Sequence, residues 1–189
     1  MHQPVVVGPP VLSRILLVGQ APGDKEPAIG RPFAWTAGKQ LFKWFATLGV
    51  DEAAFRERVY MAATCRCFPG KNPKGGDRVP SPVEVASCRP WLQREIELLQ
   101  PELLIPIGRL AIEQFLPARP LVEQIGKTFE VTQAGARIDV IPLPHPSGAS
   151  TWPRMEPGRS LTTRALALLG RHRAWRATFE TGDRSVKTG

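Results

Sequence analysis

The stretch ILLVGQAPGDKEPAIGRPF, residues 15–33, decides the fold. Its apolar opening, Ile15 to Val18, has the length and composition of a buried strand and stops at Gly19. A polar loop follows, held in an irregular path by Pro22, Gly23, Pro27, Gly30 and Pro32. Open α/β sheets bind their ligands in loops at the carboxyl ends of parallel strands. Gln20, Asp24, Lys25 and Glu26 are therefore the first candidate site residues.

Outward from this loop, the chain alternates between strand-like and helix-like segments. Residues 37–48 place Leu41, Phe42, Trp44, Phe45 and Leu48 at helical spacing, and Gly49 ends the run. A short charged helix capped by Asp51 leads to a second strand at 59–63. Residues 67–82 form the longest loop, with three glycines, four prolines and the cations Lys71, Lys74 and Arg78. Loops of that length in compact domains are usually functional or mobile. Ser81 caps a long amphipathic helix from Pro82 to Leu99. A third strand at 103–107, a short helix at 108–116 and a pairing of 128–132 with 138–142 follow. The last helix spans about 158–173, and its Arg171 to Arg176 end reads as an exposed terminus favoured by the helix dipole. The alternation predicts an α/β fold, a three-layer α/β/α arrangement around a mostly parallel four-stranded sheet. A single domain is expected over 1–189, with an N-terminal arm at 1–12 and a polar tail at 178–189. Trp35, Trp44 and Trp91 are assigned to packing.

The 189 residues carry 25 Lys and Arg against 17 acids, a net charge of +8, which favours an anionic partner such as nucleic acid. No apolar run reaches the length of a membrane span, and MHQPVVVGPP lacks the features of a signal peptide, so a cytoplasmic protein without membrane contact is expected. Three cysteines, Cys65, Cys67 and Cys88, do not make a disulfide framework. The glycine pattern of a dinucleotide loop, GxGxxG, is absent.

The second informative stretch is LPHPSGAS, residues 143–150, where His145 sits between two prolines at a strand end. Taken with GQAPG, GRPF, CFPGKNP and PELLIPIG in the same order, it resembles the uracil-DNA glycosylase superfamily, and most closely its bacterial family 4. The resemblance runs from about Arg14 to Leu169. It implies a monofunctional, monomeric DNA repair hydrolase that flips uracil out of single- or double-stranded DNA and leaves an abasic site. Such chemistry needs stabilisation of negative charge on the departing uracil and of positive charge on the sugar. By resemblance, His145 serves the leaving base, Glu26 with Asp24 behind it serves water and sugar, and Phe33 stacks on the base. Gln20 and Ala21 would line the uracil site. Pro22, Gly23, Ser147, Gly148 and Ser150 would approach phosphates, with Lys71 and Arg78 contributing charge. Gly148 to Trp152 would enter the space left in the duplex.

The pattern departs from its relatives at defined places. Ala21 stands where family 1 has its catalytic Asp, and Gln20 where family 4 has Glu. Gly23 replaces the family 1 tyrosine that blocks the thymine methyl. Ala62 or Ala63 occupies the place of an Asn that reads the uracil edge, for which Asn72 is the nearest substitute. Family 4 holds a four-iron, four-sulfur cluster on four cysteines; here Cys67 and Cys88 match the later pair and Cys65 is extra, so no metal or other cofactor is expected. No basic insertion of the covalently trapping relatives is present, so turnover is expected. The other readings are a glycosylase for hypoxanthine or xanthine and a non-catalytic nucleic-acid-binding module of the same fold.

Overall fold

The computed structural model describes residues 1–73, 75–148 and 150–180. Strand β1, Ile15–Gly19, is buried along its whole length, as a central parallel strand covered on both faces must be. A one-turn helix α1, Glu26–Ile29, ends at Gly30 in the left-handed region, and α2, Thr36–Ala46, follows. Then come α3, Glu52–Arg58, capped by the Asp51 carboxylate, and β2, Tyr60–Ala63. The long helix α4, Pro82–Leu99, starts with a capping box in which Ser81 and Glu84 satisfy each other's backbone N–H groups. Strand β3, Leu103–Pro106, is followed by the single turns α5, Arg109–Ile112, and α6, Leu121–Gln124. The hairpin β4, Phe129–Gln133, and β5, Ala136–Val140, leads to a 3-10 turn at Trp152–Arg154. Helices α7, Gly158–Arg171, and α8, Arg173–Phe179, close the described chain.

The sheet order is β2-β1-β3-β5-β4, parallel except for the β4–β5 pair. The sheet has five strands where four were expected, because both arms of the 128–142 hairpin join it, β4 as an antiparallel edge. Its alternate residues are exposed, as suits an edge strand. The chain runs from β1 to β2 on one side and then to β3 on the other. The switch point of the topology therefore lies beside β1, where a ligand crevice opens at the carboxyl ends.

One flank is an aromatic cluster: Phe45 and Phe55 stack at 4.4 Å, and Phe55 also meets Phe179 at 6.1 Å, with Trp175 between. The expected last helix is broken at His172, whose Nδ1 accepts the N–H of Ala174 at 3.1 Å and thereby caps α8. Thr178 and Phe179 belong to α8 rather than to a tail; residues 181–189 of the expected tail lie outside the described residues. The N-terminal arm is fastened too. His2 bridges Phe68, the N–H of Val6 donates to Arg66 at 2.8 Å, and Val6 is buried.

Two tryptophans depart from the packing assignment. Trp91 is 63% exposed, with the Arg66 guanidinium 5.9 Å from its ring, and Trp35 is 48% exposed at the start of α2. Trp44 packs against the core as expected.

Candidate active site

The carboxyl ends of β1 and β2 and the chain beyond β5 border a cavity of about 730 Å³. Gln20, Ala21, Pro22, Gly23, Asp24, Glu26, Phe33, Lys71, Arg78, His145, Ser147 and Gly148 all line it. Gln20 is set in place by its backbone: Thr64 N–H donates to the Gly19 carbonyl at 2.9 Å, and Cys65 N–H to the Gln20 carbonyl at 3.0 Å. Ala63, in register with Gly19, lines the cavity without offering a polar group.

Phe33 has a positive φ of 52°, an unusual conformation for a bulky residue, and two glycines make room for it. A Cβ on Gly19 would stand 2.9 Å from the edge of the Phe33 ring, and one on Gly38 would overlap the Phe33 carbonyl oxygen at 1.7 Å. The strained turn is held by Arg56, which donates to the carbonyls of Pro32 and Phe33, both at 2.9 Å. Glu26 completes the support. Its two carboxylate oxygens accept the backbone N–H groups of Gly23 and Ala34, both at 3.0 Å, and the residue is 8% exposed. It clasps the GQAPG loop to the Phe33 turn. Burial raises its pKa, opposed by those N–H donors.

His145 reaches the cavity from the chain beyond β5, where Ile107 and Leu143 form a parallel bridge and Gly108 N–H donates to Leu143 at 2.9 Å. The ring lies so close to Gly108 that a Cβ there would sit 3.1 Å from Cδ2. Ser147 N–H donates to Nδ1 at 3.2 Å. The neutral ring therefore carries its proton on Nε2, and burial lowers its pKa and keeps it neutral.

The loop after β2 folds over the opposite rim. Lys71 Nζ lies 2.9 Å from Asp24 and 2.8 Å from Asp77, tying that loop to the GQAPG loop. These partners raise the Lys71 pKa, and the Lys71 hydrogen bond lowers that of Asp24. Arg78 makes a forked pair with Glu84 at 2.8 and 2.7 Å and donates to the Pro69 carbonyl. The Glu84 carboxyl is held far below its usual range by that guanidinium. Arg78 is thus committed to the capping box of α4, a structural task where a phosphate contact was expected. Asn72 is exposed in the turn of this loop and does not line the cavity, so the uracil-reading role expected of it is not supported. Ser150 also stays outside the lining, and Lys74 lies outside the described residues. Trp152 packs on the start of α7, where a Cβ on Gly158 would overlap its carbonyl oxygen at 2.0 Å, and it does not line the cavity, whereas Gly148 at the other end of the 148–152 segment does.

The model of the Uracil DNA glycosylase superfamily matches residues 5–170. The chain belongs to that superfamily. It is 32% identical over 148 residues to the type-4 uracil-DNA glycosylase of Archaeoglobus fulgidus, covering 76% of this chain and 70% of that one. It is 34% identical over 151 residues to the type-4 uracil-DNA glycosylase of Thermotoga maritima, with the same coverages of 76% and 70%. The type-5 uracil-DNA glycosylase of Pyrobaculum aerophilum is 29% identical over 154 residues, 74% of this chain and 64% of that one.

Within the superfamily, the cysteines distinguish this member from the cluster pattern of family 4. Cys65 is buried and hydrogen-bonds Cys88, and burial together with its cysteine neighbours pushes its thiol up to about 12. Among the described residues no group of three or more His, Cys, Asp or Glu is placed to hold a metal ion. The three cysteines are one fewer than a four-thiolate cluster takes. Phe33, Glu26, Asp24, Gln20 and His145 are brought together around one cavity. The glycines that seat Phe33 escaped the sequence reading; Gly38, a glycine inside an apolar helix, was the available signal.

Proposed function

We propose that the protein hydrolyses the N-glycosidic bond of deoxyuridine in DNA, releasing uracil and leaving an abasic site. The observation that carries this reading is His145, a part-buried cavity-lining residue whose Nδ1 accepts the Ser147 N–H, so that the neutral ring carries its proton on Nε2. The base is flipped out and stacks on Phe33. As the bond between C1′ and N1 breaks, its electron pair passes to the uracil, and negative charge gathers on O2. The His145 Nε2–H donates to that oxygen, a preformed dipole that strengthens as charge develops. Gln20 holds the water that adds to C1′, and the proton that this water sheds passes to solvent as the uracil anion departs. Asp24, kept ionised by Lys71, and the buried Glu26 carboxylate set a negative field for the sugar cation. Glu26 acts chiefly as the clasp of the two loops.

The net charge of +8 supports association with a polyanion, and the protein acts as a cytoplasmic monomer on single- or double-stranded DNA. A wider base range, hypoxanthine or xanthine, has support in the cavity volume of about 730 Å³ and in Ala63 and Gly23, which put no selective side chain against the base. The test is release of base from oligonucleotides carrying one uracil, one hypoxanthine or one xanthine, read as alkali-labile strand breaks. Uracil is expected to be released fastest. Release of hypoxanthine or xanthine alone would move the assignment to the second reading, and release of none would leave only a binding module.

A further inference from the structure

Trp35 has no part in the base pocket just described, yet its indole lines the same cavity and is 48% exposed. A large flat ring left in water at a ligand crevice is suited to stacking. Its position is fixed at the entry to α2, where its carbonyl accepts the Lys39 N–H at 3.0 Å. The Lys39 ammonium stands 5.6 Å from the ring centroid. Trp35 lies two residues from Phe33. One aromatic ring thus belongs to the extruded base and a second stands at the rim the adjoining strand must cross. The cavity is also larger than one pyrimidine fills.

We propose that Trp35 is a stacking platform for the nucleobase next to the extruded one, with the Lys39 ammonium beside that nucleotide's phosphate. The proposal rests on the reading of the protein as a DNA glycosylase. Every base has a π-face, so this platform binds any neighbour and contributes affinity without selecting sequence. It also relieves the uracil pocket of supplying all the binding.

The test measures binding, by anisotropy of a labelled duplex carrying 2′-fluorodeoxyuridine, a nucleotide that resists hydrolysis. Trp35→Ala is expected to weaken binding by about tenfold, and Trp35→Phe to recover most of the loss. Replacing the base on one flank by an abasic spacer is expected to weaken the wild type by a similar factor and Trp35→Ala by nothing further. Equal binding by Trp35→Ala, or an equal loss in both proteins on the spacer duplex, would overturn the platform. A flank effect confined to the wild type, in a protein that releases no uracil, would keep the platform and remove the glycosylase reading. Failure of the wild type to bind DNA would overturn both.

Discussion

His145 shows how one backbone hydrogen bond sets a side chain's chemistry. Because Ser147 N–H occupies Nδ1, protonating the ring replaces an acceptor with a donor facing a donor. Burial acts in the same direction and lowers the pKa from its ordinary 6.5. The neutral form is thus favoured in the folded protein, and its contribution to stability is present above 6.5 and lost as pH falls through the lower folded value. The acid limb of kcat/KM is expected below 6.5, as measured by a pH profile; activity that instead rises on acidification and is lost as His145 deprotonates would mean that it works as an imidazolium. Gly38 gives a second residue-scale test. Gly38→Ala forces a methyl group against the Phe33 carbonyl, so it is expected to cost about 1–3 kcal/mol in urea unfolding and to raise KM for uracil-containing DNA. Wild-type values for both would show that Phe33 tolerates displacement.

Among the elements, the loop between β2 and α4 separates two cations that looked alike in sequence. Lys71 is half exposed, and its pairs with Asp24 and Asp77 are of the kind that contribute little and exchange readily. A phosphate can take their place. Arg78 is held by Glu84 and by the carbonyl of Pro69. Lys71→Ala is therefore expected to shallow the salt dependence of DNA binding by about one unit of slope, whereas Arg78→Ala leaves the slope unchanged and lowers Tm. Equal slopes in Lys71→Ala and wild type would remove Lys71 from the interface. The distinction was not legible in the sequence, because it depends on which acid the fold brings near each cation. Ser81 was legible as a cap, since it stands just before a helical run; the reciprocal bond from Glu84 and the guanidinium bound to the same carboxylate were not. Trp91 was misassigned for a related reason. Helical spacing places it on a face, but only the fold shows that this face meets Arg66 and water.

At the scale of the molecule, strand and helix order was readable because the parallel strands are continuous apolar runs between turn residues. The antiparallel edge β4 was harder to count as part of the sheet, because its alternating, half-exposed residues resemble any hairpin arm. The meeting of Gln20, Phe33 and His145 was implied by the family resemblance of their motifs, whereas the Glu26 clasp depends on backbone N–H groups that no side-chain motif announces. The aromatic cluster ties α2, α3 and α8 together. Phe55→Ala is expected to cost about 3–5 kcal/mol in denaturant unfolding, because it empties a site between Phe45, Trp175 and Phe179. A loss below about 1 kcal/mol would show that the cluster relaxes around the gap. The central claim, that a neutral His145 stabilises the departing uracil, is tested most directly by single-turnover release of uracil from a single-uracil duplex, comparing wild type with His145→Ala. The account predicts a rate lower by about 10²–10³ in the variant, with DNA binding retained; equal rates in the two proteins would contradict it.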